Sequence, residues 1–255
     1  MWQIDRHFIT AFIHRYGGGN GFTFTRRNIT NYKDILATCK HIYITKHVLY
    51  KGRTSVSPQR WSLGNNKPAI IQRDILLSNL ATKIWYYFNS EPNTINNQIS
   101  FDLFHNELCK WFLHDLNAVR TMAGLPDATY GNAQKMINIL FKYLVCFDDY
   151  TNFADLFSYC HMPIDNYILG DFINVFVPNV ISIPREKQYV YRGVALCWHE
   201  FDEEHYLNLL NDYRTVVGLI KNPNLSYMGV EFSWFINASL PVVGIHARPI
   251  KNFYK

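Results

Sequence analysis

The chain has 255 residues, of which 48% are hydrophobic and 16% aromatic, with a net charge of +5. That is apolar material enough for one large domain or two closely packed lobes, while no apolar run reaches bilayer length and the N-terminus lacks the features of a signal peptide. Five widely spaced cysteines (Cys39, Cys109, Cys146, Cys160, Cys197) without a CxxC argue against a disulfide framework, a zinc ribbon or a cysteine-ligated cluster, so reduced thiols, no metal, no cofactor and a cytoplasmic setting are expected.

The charge is uneven. Residues 1–60 carry ten Lys/Arg against Asp5 and Asp34, or +8, and the remainder carries −3. These cations, Arg26 and Arg27 among them, are interleaved with Phe, Tyr and Trp, a composition suited to phosphate and base contacts; an ordinary basic surface is the plainer reading. Residues 1–66 are expected to be a basic segment packing on a helical body, 67–255.

Gly17–Gly18–Gly19 reads as a flexible turn, since the GK[ST] ending of a P-loop is missing. "HIYITKHVLYKGRTSVS" (41–57) reads as a strand or an extended arm. "NNKPAIIQRDILLSNLATKIWYYFN" (65–89) predicts a helix after Pro68. "SFDLFHNELCKWFLHDLNAVRTMAG" (100–124) predicts another, with Ser100 as N-cap and Gly124 as stop. Phe101, Phe104, Leu108, Trp111, Phe112 and Leu116 recur at helical spacing there as core. His105 and His114 are read as structural.

"GLPDATYGN" turns into a helix over "YGNAQKMINILFKYL" (130–144). Ala133, Ile137, Leu140 and Leu144 form an apolar stripe, while Lys135, Asn138 and Lys142 share another, because seven residues make almost two turns. A solvated face explains such a stripe; so does a lysine nucleophile with a second lysine holding its target. "HMPIDNYILGDFINVF" (161–176) predicts a further helix with Asp165 as N-cap. A carboxylate at a helix start stays ionised, favoured by backbone N–H donors and the dipole. "VPNVISIPREKQYVYRGV" (177–194) reads as extended or irregular, "DEEHYLNLLNDYRTVVGLI" (202–220) as a helix, and "HARPIKNFYK" as a basic tail. The whole is mainly α with minor β or extended segments.

Other constellations are weaker. "WHEFDEEH" (198–205) lacks HExxH spacing and reads as a charged helix start rather than a metal site. "YVYRGV" has an arginine-strand look without the Ser-Thr-Ser or ExE partners of ADP-ribosyltransferases. No GxSxG element is present.

"YGNAQKMINILFK" and "HMPID" together resemble the helix-hairpin-helix DNA glycosylase superfamily, closest to its archaeal 8-oxoguanine glycosylase branch. The likeness spans roughly residues 124–170 and rests on a lysine, a second lysine seven residues on, and a Pro-x-Asp segment downstream. The two-glycine hairpin of the superfamily is reduced here to Gly131. The resemblance implies a two-lobed, mainly α fold with a hairpin-helix catalytic region at 124–170. It implies Lys135 as Schiff-base nucleophile and Asp165 as stabiliser of the oxocarbenium-like state, with Lys142 and Asn138 positioning base or sugar and Gly131 near the DNA backbone. The expected partner is double-stranded DNA with a modified base, bound by a monomer that flips the base from the stack. The base is an oxidised purine or a bulky modified cytosine, such as glucosylated hydroxymethylcytosine of phage DNA, and strand cleavage at the abasic site is implied by the lysine. The alternatives are a non-catalytic helical nucleic-acid-binding protein and a phage-defence interaction protein.

Overall fold

The structure is a computed structural model. It describes residues 9–10, 12–13, 22–45, 63, 65–90, 94–164, 181–183, 188–191, 194–196 and 198–219, the strands and residues 212–219 by backbone alone. The described chain is mainly α-helical: α1 (Tyr32–Thr45), α2 (Lys67–Asn89), α3 (Gln98–Met122), α4 (Tyr130–Leu144), the single turn α5 (Ala154–Phe157) and α6 (Glu203–Leu219). Three short strands, β1 (Ile181–Ile183), β2 (Gln188–Tyr191) and β3 (Val194–Leu196), form an antiparallel meander with Ile181 opposite Val190 and Tyr189 opposite Leu196.

The long helices start where their caps dictate. Asn66 caps α2, accepting the Ala69 N–H at 3.1 Å, and Pro68 sits in the first turn where its missing N–H costs nothing. α3 begins before the expected Ser100. Asn97 is its N-cap, and Ser100 answers as the third residue of a capping box: Ser100 N–H donates to Asn97 Oδ1 at 2.9 Å and Asn97 N–H to Ser100 Oγ at 3.2 Å. The helix ends at Met122, and Gly124, two residues on, has a φ of 67°, the left-handed conformation glycine takes most easily. Thr129 and Asn132 build the same box at the start of α4.

Residues 41–45 correct the expectation of a strand: they are the last turn of α1. Ile35, Cys39 and Ile42 fall at helical spacing and are fully buried. That burial outweighs the few tenths of a kcal/mol by which β-branched residues disfavour a helix. Residues 46–57 of the same stretch lie outside the described residues, as does the helix expected from 165.

The helices close around α4. α1 packs on α2 and on α4, α2 on α3, and α3 on α4, which also meets the 3-10 turn Trp198–Glu200 and α6. Every residue of α4 except Lys135 is therefore buried. α2 and α3 are amphipathic by contrast, burying Leu76, Leu80, Ile84 and Tyr87 on one and Phe101, Leu108, Phe112 and Leu116 on the other. Phe101, Tyr87 and Phe88 each meet Phe141 of α4 edge-on, with ring centroids 5.6–6.1 Å apart. No described helix is long and apolar enough to cross a membrane.

Candidate functional site

Lys135 is the one residue through which α4 reaches the surface. Its Nζ stands 3.9 Å from the ring centroid of Trp198, a residue that is itself only 6% exposed. The turn carrying Trp198 is held to the start of α4 by Gly131. The Gly131 N–H donates to Phe201 O at 2.9 Å, and an added Cβ would stand 1.8 Å from Trp198 O. Gly131, expected near the DNA backbone, is buried here, and the close approach of two backbones is its visible use.

Lys142, expected beside Lys135 at the substrate, is 4% exposed and places its Nζ 4.8 Å from the centroid of Phe12. The two ammonium groups thus lie over different rings. Neither Lys142 nor Asn138 belongs to a solvated face.

Asn138 is fully buried at the middle of a polar network. Its Oδ1 accepts from His105 Nε2 at 2.7 Å, which assigns the proton of that ring to Nε2. Its amide nitrogen faces Gln134 Oε1 at 3.0 Å, Met162 O at 3.0 Å and the Tyr206 hydroxyl at 3.1 Å. Tyr206 is 2.9 Å from His161 Nδ1, and His161 Nε2 is 2.8 Å from Asp102 Oδ1. A neutral His161 with its proton on Nε2 satisfies this chain: it donates to Asp102 and accepts from Tyr206. The rings of His105 and His161 lie 4.2 Å apart. α3, α4, the 160–164 segment and α6 are joined here by side chains that leave few polar atoms to a ligand.

Gln134 extends the network to the end of that segment. Its Nε2 donates to Ile164 O at 3.0 Å and to Gly131 O at 3.1 Å, and its Oε1 accepts from the Ile164 N–H at 3.3 Å. One buried amide therefore holds both polar groups of the Ile164 backbone. Ile164 immediately precedes Asp165, and Gln134 immediately precedes Lys135. Asp165 itself lies outside the described residues.

The two arginines expected at phosphate differ. Arg27 is used inside the protein: its guanidinium is 3.3 Å from Asp34, donates to Thr23 O and covers Phe22 at 4.4 Å. The Arg26 side chain is exposed. The residue has φ 63° and donates its N–H to Asp148 Oδ2 at 2.9 Å. Next to it Asp149 accepts from the Ile29 and Thr30 N–H groups at 2.7 and 3.2 Å. The 26–30 loop is pinned by two carboxylates, which also offset its positive charge.

Elsewhere the chemistry is quiet. Burial pushes the thiols of Cys39, Cys109 and Cys160 far above their ordinary range, so none is a thiolate nucleophile. Among the described residues, no three His, Cys, Asp or Glu side chains gather as a metal site. In "WHEFDEEH", Asp202 accepts the His205 N–H at 2.8 Å at the start of α6, and Glu203 pairs with Lys110 at 2.9 Å. A cleft of about 450 Å³ opens between α2 and α3, lined by Tyr86, Phe104 and Trp111 with Lys83 and Glu107, and no described candidate residue lines it.

Gln134, Tyr206, His161 and Trp198 were missed as organisers of this region. The one signal available was the i, i+4 amide pair Gln134 and Asn138, which an interior network explains as well as a solvated face does. Comparison with family models, with curated proteins and with solved structures returned no match for this chain.

Proposed function

We propose that the protein is a DNA glycosylase that flips a modified base from the duplex and excises it with Lys135 and Asp165. The observation that supports this reading most is the Gln134 bridge, which joins the residue before the candidate nucleophile to the residue before the candidate carboxylate. The reaction asks for an amine and a carboxylate near one anomeric carbon: the carboxylate offsets the oxocarbenium charge, and the amine attacks to form a Schiff base. Lys135 is the one residue of α4 that is not buried, which leaves its amine open to a substrate entering from outside. Double-stranded DNA is the proposed partner, met by Arg26 and the basic N-terminal portion. An oxidised purine or a bulky modified cytosine is the proposed target.

One observation favours the second reading, a non-catalytic nucleic-acid-binding protein. The Trp198 ring beneath Lys135 stabilises the ammonium form, which suits phosphate contact rather than attack.

The test is incubation with duplexes bearing different modified bases, followed by alkali, and by borohydride to trap a Schiff base. Excision with trapping that Lys135→Gln abolishes is the expected result. Asp165→Asn should lose about a hundredfold in single-turnover rate with DNA affinity kept. Salt-sensitive DNA binding with no excision from any duplex supports the second reading instead.

A further inference from the structure

We infer that the outer face of α2 and α3 is a self-association surface whose partner is a second copy of this chain, docked about a two-fold axis running along the cleft between the two helices. The inference stands apart from the glycosylase reading and differs from the monomer that the family resemblance implies.

The two helices run antiparallel. Asn66 at the start of α2 donates to Met122 O at the end of α3, and Tyr87 near the end of α2 stacks on Phe104 near the start of α3, with centroids 5.2 Å apart. The end of α2 therefore lies level with the start of α3. Ile99, Leu103 and Glu107 follow one another at four-residue spacing on α3, and Lys83 and Tyr86 at three-residue spacing on α2, so each set shares one face of its helix. Ile99, Leu103 and Tyr86 are each more than half exposed. Three large apolar side chains left in water at one end of a helix pair mark a contact surface. Beside them runs the cleft walled by Tyr86, Phe104 and Trp111, with Lys83 and Glu107 as its two charged residues.

The partner is identified by the way this surface complements itself. It carries a hole, the aromatic-walled cleft, and it carries projecting groups, Tyr86 and Leu103, of the kind that cover one. It also carries one cation and one anion that form no ion pair among the described residues. Lys83 Nζ lies 4.9 Å from the Trp111 ring centroid, and Lys110, one turn beyond Glu107, is taken by Glu203 at 2.9 Å. A two-fold axis along the cleft exchanges the helices and sets α2 of one copy antiparallel on α3 of the other. Lys83 then meets Glu107 of the second copy, and Tyr86 meets its Leu103. Each contact occurs twice, as an isologous interface requires. A partner of one charge sign would set one of the two charges against its like, whereas a second copy answers both. The apolar groups lie together and the charges flank them, the usual division between the core and rim of an interface.

Sedimentation of the full chain over a range of concentrations is the experiment. Wild type is expected to pass from monomer to dimer as concentration rises. Leu103→Asp changes a residue that is exposed in the single chain, so its melting temperature in dilute solution should match that of wild type. The same change buries an unpaired charge in the dimer and is expected to weaken association by about a hundredfold or more. Lys83→Glu sets like charges opposite one another twice and is expected to weaken association by about tenfold. Combining it with Glu107→Lys restores the pairing with its signs exchanged, so the double variant is expected to associate within about threefold of wild type. Wild type that stays monomeric up to about 100 µM, a dimer that Leu103→Asp leaves intact, or a double variant no better than Lys83→Glu alone overturns the inference.

Discussion

Helices α3 and α4 lie side by side and obey different rules. α3 has an inside and an outside: Phe101, Leu108, Phe112 and Leu116 face the core, and Ile99 and Leu103 are 75% and 64% exposed. α4 has no outside apart from Lys135. A polar residue on the outer face of α3 can turn to water, so its loss is cheap. A polar residue on α4 must find its partners within the protein, and its loss strands them. The same residue type therefore carries a different meaning on each helix.

The two glycines that bracket the junction of these helices offer the largest contrast. Gly131→Ala would drive a methyl group into the Trp198 carbonyl, where backbone meets backbone and neither yields. Destabilisation of about 3 kcal/mol or outright failure to fold is expected. Gly124→Ala meets nothing within 4 Å and bears only the strain of φ 67°, so about 1 kcal/mol is expected. Urea melts of both variants measure the difference; equal costs would break the comparison.

Asn138→Ala on α4 should come next, at about 2 kcal/mol, because His105, Gln134 and Tyr206 each lose a buried partner. The exposed Glu107 of α3 has water as a substitute, and the effect of Glu107→Ala on the melt should be under about 0.5 kcal/mol. The capping boxes should sharpen the picture by agreeing: Thr129→Ala and Asn97→Ala each remove a bond to the third helical N–H, at about 1 kcal/mol each.

The smallest effect concerns pH. The His205 N–H holds the Asp202 carboxyl below its ordinary range, and Lys110, with Asn106, does the same for Glu203. A carboxyl whose folded pKa is depressed contributes stability above its unfolded pKa and loses it as pH falls through the folded one. The melting temperature should therefore drop on acidification through and below the carboxylate range. Glu203→Gln should flatten that drop slightly, since the pair is exposed and screened.

These contrasts show what a sequence can and cannot announce. The periodicities of 65–89 and 100–124 named α2 and α3 because an amphipathic helix writes its burial into its spacing. The Asn97 cap was passed over for Ser100 because either residue type fits an N-cap, and only the reciprocal bond tells them apart. α4 was legible as a helix but not as a central one. Its lysine and asparagine stripe looks the same whether water or His105 and Tyr206 lie opposite, and those partners come from α3 and α6, 33 and 68 residues away from Asn138. The meeting of α4 with the 161–164 stretch was legible, since these are the two segments that carry the resemblance. The part played by Gln134 was not, because its bonds go to the backbone of Ile164, and backbone partners leave no mark in sequence.

The pinned 26–30 loop has a consequence for how the chain is made. Its anchors, Asp148 and Asp149, lie 122 residues beyond Arg26 and 120 beyond Ile29. On a ribosome adding about 5–20 residues per second, the anchors trail the loop by on the order of 10 s. For that time the Ile29 and Thr30 amides have only water to bond, and Ile29, later fully buried, is open to solvent. Closing a loop of this span is also entropically late compared with pairing neighbouring helices. The 26–30 loop thus waits during synthesis and is fastened only when the two aspartates emerge to receive it.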